Sequence, residues 1–181
     1  DVVQCKAHKR LLLVALRFRC GQRASLAPWY YSAYRPSSSL RPVLSSRPTP
    51  PMTLEEYTSI YTPEDAVGWH CIDAHLATLY GERKPRHYAP PLHFIAGGTD
   101  PLDGTSFYDH PGDPAHIHVV SYGLSALYYD ESAVGALYSG LGFELTFRVV
   151  PEPGEEGDPT WVTGLMNNLA RYLHDSGRWF E

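Results

Sequence analysis

The sequence is poor in cysteine, carries one acid in its first 51 residues, and has no methionine before Met52. Its three cysteines are Cys5, Cys20 and Cys71, with no C-x-x-C among them. Past residue 51 there is a single thiol, which excludes a disulfide framework within that part and fits a reducing compartment; a cytoplasmic location is expected. No apolar run approaches the roughly eighteen residues that a spanning helix needs, so no membrane partner is expected. The sequence also lacks H-E-x-x-H, G-x-S-x-G, a P-loop and G-x-G-x-x-G, and therefore the hydrolytic and nucleotide chemistry that those patterns support. No cofactor and no catalytic residue is expected, and the protein reads as a non-enzyme. Sixteen prolines and fifteen glycines argue against an all-helical bundle and for short elements joined by turns.

Charge divides the chain in two. Residues 1–51 hold nine Lys or Arg against Asp1, a net +8, whereas residues 52–181 hold six bases against nineteen acids, a net −13. The acidic part repels phosphate backbones, so nucleic acid is not expected as a partner. The basic part is rich in Ser and Pro and contains only a six-residue apolar run, residues 11–16, stopped by Arg17. Too short for a secretory signal, it is expected to be a disordered leader or translated upstream sequence, with a transit peptide as the competing reading. The folded domain is expected over residues 52–181.

Within that span, Thr62-Pro63-Glu64-Asp65 has the chemistry of a helix start: a capping hydroxyl, proline at the first position and acids at the positive end of the dipole. Trp69, Ile72, Leu76, Leu79 and Tyr80 recur at helical spacing, and Gly81 supplies the stop, so a helix is predicted over 64–80. Pro90-Pro91 interrupts the next segment, residues 86–95, and places strand pairing after them at 92–95. Short strands are predicted at 105–108 and 116–122. Residues 141–149 give the clearest strand: Leu141, Phe143, Leu145, Phe147 and Val149 on one face, with Glu144, Thr146 and Arg148 on a polar, solvated one. Asp158-Pro159 opens a last helix with Val162, Leu165, Leu169 and Leu173 in phase and Gly177 at its end. Helix, strands, helix in this order indicate an α+β domain with a mostly antiparallel or mixed sheet flanked by helices.

Histidine is the main candidate for chemistry. His116 and His118 lie on one side of their strand and would hold a metal if His93 or His110 supplied a third ligand, so a metal-dependent enzyme using a His116/His118 cluster is the alternative function. The commoner role for sheet histidines is a half-buried hydrogen bond. Asp100, Asp103, Asp109 and Asp113 read as turn formers, since they lack a calcium-loop rhythm. Cys71 beside His70 diverges from it by about 100° on a helix and reads as a small packing residue. A third possibility is a self-associating structural fragment with an open sheet edge.

The segment Gly97-Gly98-Thr99-Asp100-Pro101-Leu102-Asp103, then residues 116–125, then Gly142-Phe143-Glu144-Leu145-Thr146-Phe147-Arg148, then Pro159-Thr160-Trp161 and Leu169-Ala170-Arg171-Tyr172 resembles, in order, the N-terminal domain of the Suppressor of Fused family. The opening Thr62-Pro63-Glu64-Asp65-Ala66-Val67-Gly68-Trp69 resembles bacterial members. The resemblance covers roughly residues 60–181 and implies a cytosolic, non-catalytic regulator that binds a partner protein or peptide, in animals by adding a strand of a Gli transcription factor between two domains. For bacterial members it implies an immunity protein against a toxin. Two protein-binding positions carry over, Tyr122 and Glu144; a third, acidic in animal members, is Ala126 here. The family's first domain continues beyond the second helix and is followed by another, so the chain is expected to be truncated at its C-terminal end. Charge reversal at Glu144 is then expected to weaken partner binding with little loss of folding.

Overall fold

The computed structural model describes residues 12–17 (as backbone), 52–136 and 138–177. Among these described residues, five strands form one antiparallel sheet in the order β1-β5-β4-β3-β2. They are β1 (Leu12–Arg17), β2 (Arg86–Tyr88), β3 (Gly104–His110), β4 (His116–Tyr122) and β5 (Phe143–Val149). Three helices among the described residues accompany them: α1 (Leu54–Ile60), α2 (Val67–Tyr80) and α3 (Trp161–Ser176). The α+β class with an antiparallel sheet flanked by helices is the one the sequence predicts.

Helix α1 was not among the predicted elements, although its start is written locally. The Glu56 amide donates to Thr53 Oγ1 at 3.2 Å and the Thr53 amide donates to Glu56 Oε2 at 2.8 Å, a reciprocal capping box. Helix α2 begins later than predicted. Asp65 accepts from both the amide and the hydroxyl of Thr62, at 2.8 and 3.0 Å, so residues 62–65 close a turn of their own and the helix starts at Val67. It ends as expected at Gly81, whose amide donates to Ala77. Helix α3 ends at Gly177, in the left-handed conformation at φ 60°.

The strand predicted at 92–95 is corrected. Pairing precedes Pro90-Pro91, with Arg86 opposite Phe107 and Tyr88 opposite Thr105, and residues 94–96 form a single 3₁₀ turn. The prolines close the edge strand rather than open it, because a residue without an N–H cannot extend the ladder. Arg86 fastens this short edge by forked hydrogen bonds to Asp109 (2.7 and 2.8 Å) and Asp158 (2.7 to 2.9 Å), and the Tyr88 hydroxyl donates to Asp158 at 2.8 Å.

On the opposite edge β1 pairs with β5, Leu12 facing Arg148 and Arg17 facing Phe143. These six residues lie inside the segment expected to stay outside the fold, and they cover one edge of β5. The rest of residues 1–51 lies outside the described residues, as does 178–181.

Both faces of the sheet are covered. On one, Phe107, Ile117, Val119, Phe143, Leu145, Phe147 and Val149 pack on Val162, Met166, Ala170 and Leu173 of α3. On the other, Tyr108, Val120 and Tyr122 pack on Ile72, Leu76 and Tyr80 of α2, with Leu127.

Candidate protein-binding site

The even-numbered side of β5, predicted to be a polar solvated face, lies under α2. Glu144 has no exposed surface and Thr146 is 3% exposed; of the three polar positions only Arg148 reaches solvent. A buried carboxylate is costly unless donors surround it. Glu144 is surrounded. Ser121 Oγ donates to Oε2 at 2.5 Å, and Oε1 accepts from Ser125 Oγ (2.6 Å) and from the amides of Gly123 (3.1 Å), Leu124 (3.1 Å) and Ser125 (2.9 Å). Burial pushes its pKa above the ordinary carboxylate range, while the hydroxyls and amides pull it back.

Three consecutive amides aimed at one oxygen require the chain to wrap around the carboxylate. Gly123, at φ 132°, makes that wrap possible. Glu144 therefore fixes the shape of the segment that follows β4. Other bonds strap the same segment down. The Leu127 carbonyl accepts from the amides of Gly68 (2.9 Å) and Trp69 (3.3 Å), the Tyr129 amide donates to Asp65 (3.0 Å), and the Leu141 amide donates to Leu124 (2.7 Å). Gly68 has no room for a side chain, because a Cβ would collide with the Ala126 carbonyl. What this held segment presents outward includes Tyr128, 44% exposed, whose hydroxyl donates to Asp103 at 2.8 Å. Ala126, half-buried, lies beside it.

Tyr122 is also fully buried. Its hydroxyl donates to Asp73 Oδ1 at 2.8 Å and its ring lies 4.5 Å from that of Trp69 and 5.5 Å from that of His87. Burial drives its pKa upward. Neither carried-over position is therefore a surface group. Tyr122 and Glu144 sit beneath the surface they were expected to form, and the expectation that Glu144 tolerates charge reversal is corrected: an arginine there would meet three amides and two hydroxyls in a dry site.

The histidines separate. His93 Nδ1 lies 3.0 Å from Asp103 Oδ1, next to the Gly104–Tyr122 end of the β3–β4 pair, while His110 and His116 face each other at the opposite end. There the His110 and His116 rings stack at 4.4 Å, and His118, 3% exposed, lies 2.6 Å through Nδ1 from the Tyr80 hydroxyl. Burial and the charge of Arg148 depress the His118 pKa to about 3. Among the described residues no three His, Cys, Asp or Glu side chains are grouped to hold a metal. Asp100 binds Arg171, Asp103 takes Tyr128 and His93, and Asp109 takes Arg86, so these aspartates serve as separate anchors. Cys71, expected to pack, is exposed on α2.

Sequence reasoning missed Asp73, Ser121, Ser125 and Tyr128. Asp73 was within reach of it, four residues after Trp69 and on the same helical face. The two serines have no signal until Glu144 is known to be buried.

Residues 98–181 match the family described as Suppressor of fused protein. The Suppressor of fused homologs of Mus musculus and Homo sapiens are each 36% identical to this chain over 154 residues, covering 79% of it and 32% of theirs. The chain thus spans about a third of the length of the curated relatives it matches. Among solved structures, it resembles the crystal structure of the Sufu–Fu complex at 34% identity and a TM-score of 0.54, over 63% of this chain and 55% of that one. It resembles the crystal structure of Drosophila Suppressor of Fused at 30% identity and a TM-score of 0.57, over 66% of this chain and 32% of that one.

Proposed function

From the premise that this chain carries a Suppressor of fused domain, we propose that it is a non-catalytic module that binds a partner protein through the segment 123–130, with Tyr122 and Glu144 holding that segment from below. One observation carries the reading: Glu144 accepts four hydrogen bonds from this stretch and so shapes it, and the stretch then offers an exposed, anchored tyrosine. A rigid aromatic held in place loses little entropy on binding, which is the usual make-up of an interface anchor. The likeness to a structure of the Sufu–Fu complex supports a protein as the partner's class.

Ala126, where animal members carry an acid, removes one charge from this surface and alters which peptides it suits. The narrower role of an immunity protein in a bacterial toxin system rests on the resemblance of residues 62–69 to bacterial members. A cytoplasmic setting rests on the sparse cysteines; no helix among the described residues is long and apolar enough to cross a membrane.

A photo-crosslinking residue at position 128 of the full chain, in its own cells, tests the proposal. A discrete protein adduct, lost when the same residue is placed at the exposed position 172 on α3, supports it. Adducts identical at both positions, or none, would sink it.

A further inference from the structure

A cleft of about 350 Å³ opens between α2 and the β2–β3 side of the sheet. Trp69, Asp73 and Ala77 line it from α2, at four-residue spacing along one helical face. Ser106 and Tyr108, two apart on β3, line it from the sheet, and His87 lines it from β2. Ser106 and Tyr108 are buried at 1% and 5% exposure, so the floor is a built surface. Trp69, His87 and Tyr122 lie ring against ring beside it, 4.5 to 5.5 Å apart. Asp73 has one neutral donor, the Tyr122 hydroxyl, on Oδ1, and among the described residues no cation pairs with it.

A carboxylate with an open oxygen, set beside the Trp69 indole and the His87 ring, has the chemistry that receives an organic cation: the charge pairs with the carboxylate while the indole attracts it through its quadrupole. We propose that this cleft is a socket for an arginine side chain of the bound partner. The partner as source of the cation rests on the protein-binding reading above. A planar guanidinium suits a slot bordered by flat rings and can donate in parallel to one carboxylate, which an ammonium cannot. Ala77 leaves the depth that a longer side chain would occupy. Arg83 and Lys84 stand on the wall with Glu82. Like Asp73, they are exposed and screened by solvent, and what separates them is distance: Asp73 meets the ligand at contact. The net −13 of residues 52–181 favours a basic partner at longer range.

The test is a titration of the full chain with N-acetyl-arginine methylamide, followed by the Trp69 indole and His87 ring resonances, beside the neutral citrulline analogue and the glutamate analogue. Saturable shifts with arginine, at least about tenfold weaker with citrulline, are expected. Asp73→Asn, which keeps an acceptor for Tyr122, should weaken arginine binding several-fold without changing the unfolding midpoint, and Ala77→Leu should abolish it by filling the cleft. Equal binding of arginine and citrulline overturns the socket, as do tighter binding of glutamate or no saturable shift in a chain that unfolds normally. If the arginine probe fails while the position-128 cross-link persists, the socket is wrong and the protein-binding reading stands. If the probe binds and no cross-link forms, the cleft holds a cation and that reading falls.

Discussion

The two faces of the sheet are built differently. The face under α3 is mostly hydrocarbon: Phe107, Val119, Leu145 and Val149 against Val162, Met166 and Ala170, each 2% exposed or less, with the Thr105–Thr163 hydroxyl pair and Asn167 as its buried polar groups. The face under α2 is equally dry but laced with polar groups: Ser106, His118, Tyr122, Glu144 and Thr146, none more than 3% exposed. Hydrocarbon packing is non-directional and tolerates repacking. A buried polar group accepts few arrangements, because each donor and acceptor left unpaired costs free energy. The α3 face supplies stability, and the α2 face supplies a defined shape, which is what a recognition surface requires.

The largest break in that comparison should come from Glu144→Ala, which orphans three amides and two hydroxyls at once. A loss of about 4 kcal/mol in urea unfolding is expected, with the amides of residues 123–125 losing hydrogen-exchange protection first. On the other face, Met166→Ala should cost about 3 kcal/mol through the cavity it leaves, with no selective effect on those amides. If both variants loosen the whole chain alike, the two faces do not differ in kind.

Acid should separate the faces next. The folded His118 pKa, about 3, lies below the ordinary 6.5, so between these values the unfolded chain binds a proton that the native chain does not. Stability is then complete above pH 6.5 and falls as pH drops toward 3, by about 1.4 kcal/mol per pH unit for each such histidine. His75 and His116 are depressed in the same direction by burial. Urea midpoints from about pH 7.5 to about pH 4.5 check the slope, and a His118 ring resonance that titrates near the ordinary histidine value would contradict it. The smallest effect expected is that of Tyr122→Phe, about 1 to 2 kcal/mol for the loss of its hydroxyl's bond to Asp73 and its polar contacts with Ser106 and Tyr108, read in the unfolding midpoint with the ring contact to Trp69 preserved.

Much of the fold was legible. The α2 and α3 periodicities, their closing glycines and the strands predicted at 105–108, 116–122 and 141–149 all fall on observed elements, since each is a local pattern along the chain. The α1 start was equally local, and its Thr53–Glu56 box lies in plain sight. The candidate site was less legible. Tyr122 and Glu144 lie buried beneath the candidate surface, and the alternation of Glu144 with apolar neighbours implied solvent where there is a second layer. That alternation distinguishes apolar from polar and says nothing about wet or dry. A further clue existed: two amphipathic helices need two apolar faces to cover, so a sheet between them has no free face.

The chain's sequence determines that Phe143, Leu145, Phe147 and Val149 share a side, that α2 and α3 each bring an apolar stripe, and that residues past 51 carry the acidic charge. These are properties of neighbours along the chain, set by a period of two or about 3.6 residues. Only the tertiary structure decides that Glu144 is buried, that residues about twenty positions upstream wrap it, and that Asp73 and Tyr122, 49 apart, share a hydrogen bond. A buried carboxylate is stable only where distant donors converge, and convergence is a property of the folded chain.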